Sequence, residues 1–230
     1  MWKRPPVSET YNVDCMEYMR SLPDKAFDLA VVDPPYGIGA ADYRRAGRQY
    51  GHMLAPANIY SRKDWDKAPP SESYFQELLR VTKNQVIWGA NHFANRLPHP
   101  ESSCWLVWDK DTGDNGYADC ELAWTSFRTA VRMFRFKWQG MLQEDMAHKE
   151  VRIHPTQKPV ALYAWIFSRY AKTGDRILDT HLGSGSSRIA AWDAGLDFVG
   201  CEIDKDYFEA QEYRFTQHTA QLNLFLGEGG

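Results

Sequence analysis

No two cysteines in this 230-residue chain are spaced as C-x-x-C, and the four present (Cys15, Cys104, Cys120, Cys201) lie far apart. That spacing argues against a zinc knuckle or a disulfide framework and leaves buried, reduced thiols as the expectation. The seven histidines, at 52, 92, 99, 148, 154, 181 and 218, show no ligand spacing either, so no metal is expected. No apolar run approaches the roughly 18 residues of a membrane span, and the first ten residues lack a signal-peptide core. A cytoplasmic protein is expected. The formal net charge is only -3, so nothing global announces a nucleic-acid partner. Internal repeats and low-complexity segments are absent too.

What is present is an ordinary globular balance, 43% hydrophobic and 25% charged, in a length that suits one well-buried domain over 1–230. Charge is uneven along it. Residues 37–63 carry Arg44, Arg45, Arg48, Arg62 and Lys63 against the single acid Asp42, and 128–152 carry six cations against three acids, while the tail from 202 is acidic. A basic middle of this kind is either a phosphate-facing surface or a solvated face.

Short continuous apolar runs predict strands at 27–32, 84–89, 104–109, 176–179 and 197–201. Helical periodicity predicts helices at 73–82 (with Ser73 and Gln76 at capping-box spacing), 159–172, 186–194 and 204–217. The alternation implies an α/β, doubly wound, mainly parallel sheet, with an antiparallel ribbon near 120–137. Ligands in such sheets bind at the carboxyl ends of strands.

Three motifs lie at such ends. Asp33-Pro34-Pro35-Tyr36 follows the run Phe27 to Val32. Two prolines supply no backbone donor and fix φ, so the segment leaves the sheet as a stiff turn presenting Asp33. In the second, Asp179 ends a strand and Gly183-Ser184-Gly185 turns into a helix near Ser186. Glu202, about 20 residues on, ends the next strand, where an acid grips ribose hydroxyls in nucleotide-binding folds. No third glycine follows, because Ser187 and Arg188 stand there, so a pyrophosphate is disfavoured. A nucleoside with an amino-acid arm, such as S-adenosylmethionine, suits better. The third is His154-Pro155-Thr156-Gln157-Lys158-Pro159, with Pro159 as a first-turn proline. A hydroxyl, an ammonium and a helix start together suit a carboxylate, or they simply cap a helix.

Together and in this order, the three motifs resemble the DNA amino-methyltransferase family, and specifically its circularly permuted β group, many members of which are bacterial or phage adenine-N6 enzymes of restriction-modification. The likeness spans most of 10–215. It implies that Asp33, Pro34, Pro35 and Tyr36 are catalytic, with Tyr36 stacking on the target base. It also implies an S-adenosylmethionine site in which Asp179 and the Gly183 to Gly185 turn, with Ser186, hold the methionine end. Glu202 would take the ribose beside Ile203, and Asp14 and Cys15 would meet the adenine. His154, Thr156 and Lys158 would face the cofactor carboxylate. Where the commoner pattern of the family has Pro and Phe after the acid, this chain has Thr180 and His181, and His181 must fill the volume of the Phe.

The chemistry fits the turn. An adenine amine is a poor nucleophile, and two rigid acceptors, the Asp33 carboxylate and the Pro34 carbonyl, would each take one N–H and turn its lone pair toward a sulfonium methyl. The base must first be flipped out of the duplex. Cytosine-C5 chemistry needs a cysteine nucleophile, usually in Pro-Cys, a dipeptide absent here. Cytosine-N4 methylation, a different amine in RNA or protein, and a non-catalytic cofactor- or DNA-binding module remain as alternatives. Segment 37–70 is expected as a mobile basic loop over the base, and 110–150, with Trp124, Arg132, Arg135, Lys137 and Trp138, as a target-recognition insert. Core packing is the competing reading for Trp105, Trp108 and Trp124. The end, Gln221 to Phe225 in a flexible tail 221–230, resembles the pentapeptide by which bacterial proteins dock on the sliding clamp. Some members of the family pair up, so a homodimer is a further expectation about partners.

Overall fold

Period-two alternation in buried strands decides the architecture. In the computed structural model, which describes residues 4–40, 63, 65–113, 118–139 and 142–227 with side chains through 220, β1 (Ser8–Tyr11), β2 (Phe27–Val32), β3 (Thr82–Trp88), β4 (Trp105–Asp109), β5 (Cys120–Thr125) and β6 (Arg132–Arg135) join β9 (Arg176–Asp179) and β10 (Asp197–Cys201) in one sheet. Its order is β1-β10-β9-β2-β3-β5-β4-β6. A separate short hairpin pairs β7 (Trp138–Gln139) with β8 (Leu142–Gln143). The helices are α1 (Cys15–Arg20), α2 (Glu72–Val81), α3 (Val160–Tyr170), α4 (Ser186–Asp193) and α5 (Lys205–Gly227).

Leu29 and Val31 of β2 face one core, with Trp88, Leu162, Ile166 and Ala190, and the intervening Ala30 and Val32 face the other, with Phe75, Leu78 and Met19. α3 and α4 therefore cover one side of the sheet and α1 and α2 the other, as strands apolar on both faces require. Pairing is parallel throughout this sheet except at β5, which runs antiparallel to both its neighbours, β3 and β4. Strand ends carrying Asp33, Gly89, Lys110, Asp179 and Glu202 thus gather on one edge. Because β5 is reversed, its beginning, Cys120 and Glu121, arrives there as well.

The sheet matches the α/β expectation, with β2, β9 and β10 at the expected bounds. Several details differ. Residues 120–137 do not form a ribbon: β5 is inserted between β3 and β4, and β6 pairs in parallel with β4. β5 and β6 extend the sheet, and the second half of β5, Ala123 to Thr125, is buried in its core, whereas β6 is largely exposed. Trp124 and Trp108 are accordingly buried, and so is Trp138, whose indole N–H donates to the Gln157 carbonyl at 2.8 Å, so neither Trp124 nor Trp138 offers a face to a duplex.

The N-cap of α2 is Ser71, and Ser73 lies in the first turn with its hydroxyl 2.7 Å from that of Ser71, so the Ser73/Gln76 capping box is not formed. Pro159 is the N-cap of α3, one position before the expected site. The last helix runs ten residues beyond the expected end, to Gly227, and its backbone includes Gln221 to Phe225, whose side chains lie outside the described residues. β1 and α1 had no periodic signature, β1 because only alternate residues of its four are half-buried. All four cysteines are free, with Cys104 and Cys201 buried and Cys120 exposed at the sheet edge. Among the described residues no helix is long and apolar enough to cross a membrane.

Candidate active site

β2 ends at Val32 and Asp33 leads directly into the proline turn. Three devices fasten it. Asp66, almost fully buried, accepts from the backbone N–H of Gly37 (2.7 Å) and of Ala40 (2.6 Å). Gly37, at φ 73°, packs so closely on Pro69 that a Cβ there would lie 2.4 Å from the Pro69 Cδ. Arg96 in turn donates to the carbonyls of Pro69 and Pro70, each at 2.7 Å. The expected loop cations Arg44, Arg45 and Arg48 lie outside the described residues.

The centre of the site is an ammonium. Lys158, its side chain 3% exposed, places Nζ 2.5 Å from Asp33 Oδ2, 3.0 Å from Glu121 Oε2 and 3.1 Å from the Tyr36 hydroxyl. Tyr36 donates to Asp33 Oδ1 at 2.7 Å. Lys110 then binds the other oxygen of Glu121 at 2.5 Å. Burial pushes the Asp33 carboxyl above the usual range; the charge of Lys158 opposes the rise and that of Glu121 adds to it. Burial also acts to raise Glu121, but Lys158 and Lys110 outweigh it and bring it to about 2. Desolvation works against the Lys158 ammonium, yet the two carboxylates leave its pKa raised. Tyr36, pushed well above its ordinary value by burial and then by Asp33, stays a hydrogen-bond donor.

The Tyr36 ring lies on the backbone of Gly89, at φ 68°, where a Cβ would come within 1.9 Å of Cε1. The His92 imidazole stacks on the same ring, with centroids 5.0 Å apart and planes at 16°. Lys110, Gly89 and Asp66 had no local sequence signal. A charged residue inside the apolar run of β5 was the one available hint at Glu121.

Across the same edge lies a cradle. Asp179, buried, accepts from the Ser187 hydroxyl (2.5 Å) and the His181 N–H (3.0 Å), both neutral donors, and burial raises its pKa to about 7. Gly183 donates its N–H to Glu202 at 2.8 Å, and Glu202 also accepts from Asp204 at 2.9 Å. Gly185, at φ 71°, is the N-cap of α4 with no side-chain cap, so the first N–H groups of the helix face the turn. Arg214 of α5 donates to the Ser184 carbonyl (2.8 Å) and the Ser186 hydroxyl (2.9 Å), and ion-pairs with Glu150 at 2.6 Å.

His181, at the position where the family pattern has Phe, is an uncharged ring, lowered to about 4 by burial, edge-on to Tyr74 at 5.3 Å and 3.0 Å from the Thr180 hydroxyl. Asn12 ties the ends of β1 and β10 through the Glu202 carbonyl at 2.7 Å. Asp14 beside it caps α1 through the Met16 N–H, and Cys15 opens that helix. Ile203 is 66% exposed next to Glu202, an apolar surface at the cradle's mouth. His154, lowered to about 3 by burial and then by Lys158, packs on Tyr207 and Trp65 and takes the Thr156 hydroxyl at 3.2 Å.

The expected pairing of Thr156 with Lys158 is therefore divided. Lys158 is held inside, against Asp33, because two buried carboxylates outbid an exposed position for its charge. Of the expected DNA contacts, Arg132 and Arg135 are exposed on β6, with Arg135 paired to Asp109 (2.7 Å) and Lys137 to Asp111 (3.0 Å). Among the described residues no group of His, Cys, Asp and Glu is arranged to hold a metal.

More than half of the chain, residues 87–212, matches the model of the N6/N4 methyltransferase family, described as DNA methylase. The chain belongs to this DNA methylase family. Over its length the methylase is similar to the type II methyltransferase M2.DpnII of Streptococcus pneumoniae, 23% identical and covering 87% of each chain. Its fold is similar to that of M1.HpyAVI, solved as a complex with S-adenosylmethionine (TM-score 0.55, 20% identity, 90% of this chain and 98% of the other). The fold is also similar to that of the cytosine-N4-specific PvuII DNA methyltransferase (TM-score 0.58, 12% identity, 96% and 94%). S-adenosylmethionine is the molecule bound by M1.HpyAVI in that complex. The cradle fits it: a buried carboxyl whose partners are neutral, an open helix start and a strand-end acid match an ammonium, a carboxylate and a ribose.

Gly89→Ala forces both a left-handed backbone on a side-chain-bearing residue, at about 1–2 kcal/mol, and a clash with Tyr36. Methyl transfer by this variant is expected to fall by about 10²-fold with cofactor binding retained. Steady-state kinetics beside cofactor titration calorimetry check it, and an unchanged kcat would mean that the ring position is immaterial.

Proposed function

We propose that this methylase transfers the methyl group of S-adenosylmethionine to the exocyclic N6 of adenine in DNA, on a base turned out of the duplex. The observation that carries the reading is the Asp33 carboxylate, fixed at the sheet edge beside the cofactor cradle by Lys158 and Tyr36. Each of its oxygens uses one lone pair on a resident donor and keeps another for an incoming N–H. Asp33 and the Pro34 carbonyl would accept the two amine hydrogens, turning the nitrogen lone pair out of conjugation, and rigid prolines would hold both acceptors in place. When bound, the cofactor supplies an electrophilic methyl, so no nucleophilic side chain is required. Asp179 would receive the ammonium of the cofactor, Glu202 its ribose, and the start of α4 its carboxylate.

The Asp of Asp33 to Tyr36, in place of a Ser, favours adenine by family resemblance. The likeness in fold to a cytosine-N4 enzyme keeps that amine as the second reading. The proline turn leaves Tyr36 stacked by His92, and a flipped base would use the ring by replacing or joining that imidazole. Arg135 and Lys137, at and just past the end of β6 on the Asp33 edge of the sheet, would meet phosphates, with Arg132 at the start of that strand.

Incubation with labelled cofactor and DNA, followed by nucleoside digestion, is expected to yield N6-methyladenine; N4-methylcytosine would select the second reading. Asp33→Ala is expected to lose at least about 10²-fold in kcat while binding cofactor normally.

Cofactor binding carries its own signature. With the Asp179 pKa raised to about 7 by burial, the free protein holds that proton below neutrality, and an ammonium needs the ionised carboxylate. Affinity is therefore expected to weaken as pH falls from 7 to 5.5, approaching tenfold per pH unit, with proton release visible by calorimetry in buffers of different ionisation heat. Asp179→Asn should bind weakly with a flat profile.

A further inference from the structure

We propose that Glu121, backed by Lys110, is a positioning residue for methyl transfer: it shares the Lys158 ammonium with Asp33 and so sets how strongly Asp33 can accept the reacting amine. The proposal rests on the reading of Asp33 as the amine acceptor. Neither residue belongs to the three motifs. Both reach the site through topology: Lys110 follows the end of β4, and Glu121 stands at the start of the reversed strand β5.

The geometry is a chain of alternating charge. Asp33 Oδ2, Lys158 Nζ, Glu121 Oε2, Glu121 Oε1 and Lys110 Nζ follow one another at contacts of 2.5, 3.0 and 2.5 Å across the three ion pairs. The Tyr36 hydroxyl sits against both acids, 2.7 Å from Asp33 and 3.3 Å from Glu121. With Asp33 as its single anion, a buried ammonium would draw the electron density of the carboxylate to itself and weaken it as an acceptor. A second anion divides that pull. It also fixes Nζ from the far side, so Lys158 cannot swing Asp33 out of line. Lys110 occupies the remaining oxygen of Glu121, and Lys158 and Lys110 together keep the acid ionised in spite of its burial.

Other groups face this cluster from every packed element. Tyr163 of α3 lies within the fields of Asp33, Asp179 and Glu121, and Asp179 at the end of β9 feels Asp33. From β3 the Trp88 ring lies under the Lys158 ammonium, 5.6 Å from its centroid, and His92 covers Tyr36. His154, lowered to about 3, carries no charge near neutrality. Lys110 and Glu121 are therefore ionisable groups whose removal alters the field at Asp33 without touching either Asp33 or the cradle.

The test compares Glu121→Gln, Glu121→Asp and Lys110→Met with the wild type in methyl transfer to DNA across pH, together with the ¹³C titration of the Asp33 carboxyl in the cofactor-free protein. In Glu121→Gln, kcat is expected to fall by about 10- to 100-fold while KM for DNA and cofactor stays within about twofold. The acid limb of kcat should move to lower pH, because a negative charge that raised the Asp33 pKa is gone. Lys110→Met removes a positive charge and should move the limb the other way. Glu121→Asp keeps the charge and should leave the limb where it is in the wild type.

The NMR midpoint of Asp33 should follow the same three directions. Unchanged kcat with an unmoved limb and midpoint in Glu121→Gln would overturn the proposal, as would shifts of one sign in Glu121→Gln and Lys110→Met. A wild type inactive on DNA would defeat the functional reading instead, and the cofactor-free titration would still decide whether Glu121 governs Asp33.

Discussion

An ammonium taken out of water is costly, and the Asp33 half of the sheet edge in this methylase is organised around one. Lys158 is almost completely buried, and its desolvation is offset only because two carboxylates and a phenol converge on it. Each partner is then constrained by the same contact. Asp33 cannot rotate without abandoning Lys158, and Tyr36 cannot leave without uncovering both acids. Gly89 has to lack a side chain because the Tyr36 ring lies on its backbone. Breaking such a network at one member typically costs about 3–5 kcal/mol, far more than an exposed pair is worth. The stiffness that two prolines give the turn is thus extended to the carboxylate they present.

The sheet makes that convergence feasible. β2 lies between β9 and β3, so the strand presenting Asp33 is the direct neighbour of the strand presenting Asp179, although some 145 residues of chain separate them. On the proposed reading β9, β10 and β1 would form a cofactor side, and β3, β5 and β4 a substrate side that encloses Lys158. Glu150 couples the two: its carboxylate binds Arg214, which holds the glycine turn, and also accepts the first N–H of α3 at 2.9 Å, just after Lys158. A displacement of the glycine turn would therefore be felt at the residues that deliver Lys158.

What the sequence disclosed was local chemistry. Asp33 to Tyr36, the glycine turn and His154 to Pro159 each carry their signal in a few consecutive residues, and apolar runs placed β2, β9 and β10 at their bounds. What it concealed depends on distant partners. Nothing near Asp66 announces that it will hold the N–H groups of Gly37 and Ala40, and nothing near Arg214 points to Ser184. Trp138 was misjudged because an indole packed under a guanidinium (Arg152, 4.6 Å from the ring) looks in sequence like an aromatic-basic recognition patch. Lys158 was read from the helix it precedes, and the β5 reversal that brings Glu121 to meet it has no counterpart in hydrophobic pattern, because a buried strand reads the same in either direction.

The two acids that end neighbouring strands sit in environments that would suit two ligands of different charge. Asp33 already has a cation in Lys158, so a second would add little, and its spare lone pairs suit a neutral N–H donor. Asp179 has only a hydroxyl and a backbone N–H as partners, and its carboxyl, raised to about 7 by burial, is one charge short of a stable anion. It suits a ligand that brings a positive charge with it. On the proposed reading, exchanging these environments would place the cation where the amine is to sit, so the distribution of lysines between the two acids, more than the acids themselves, would carry the discrimination between cofactor and base.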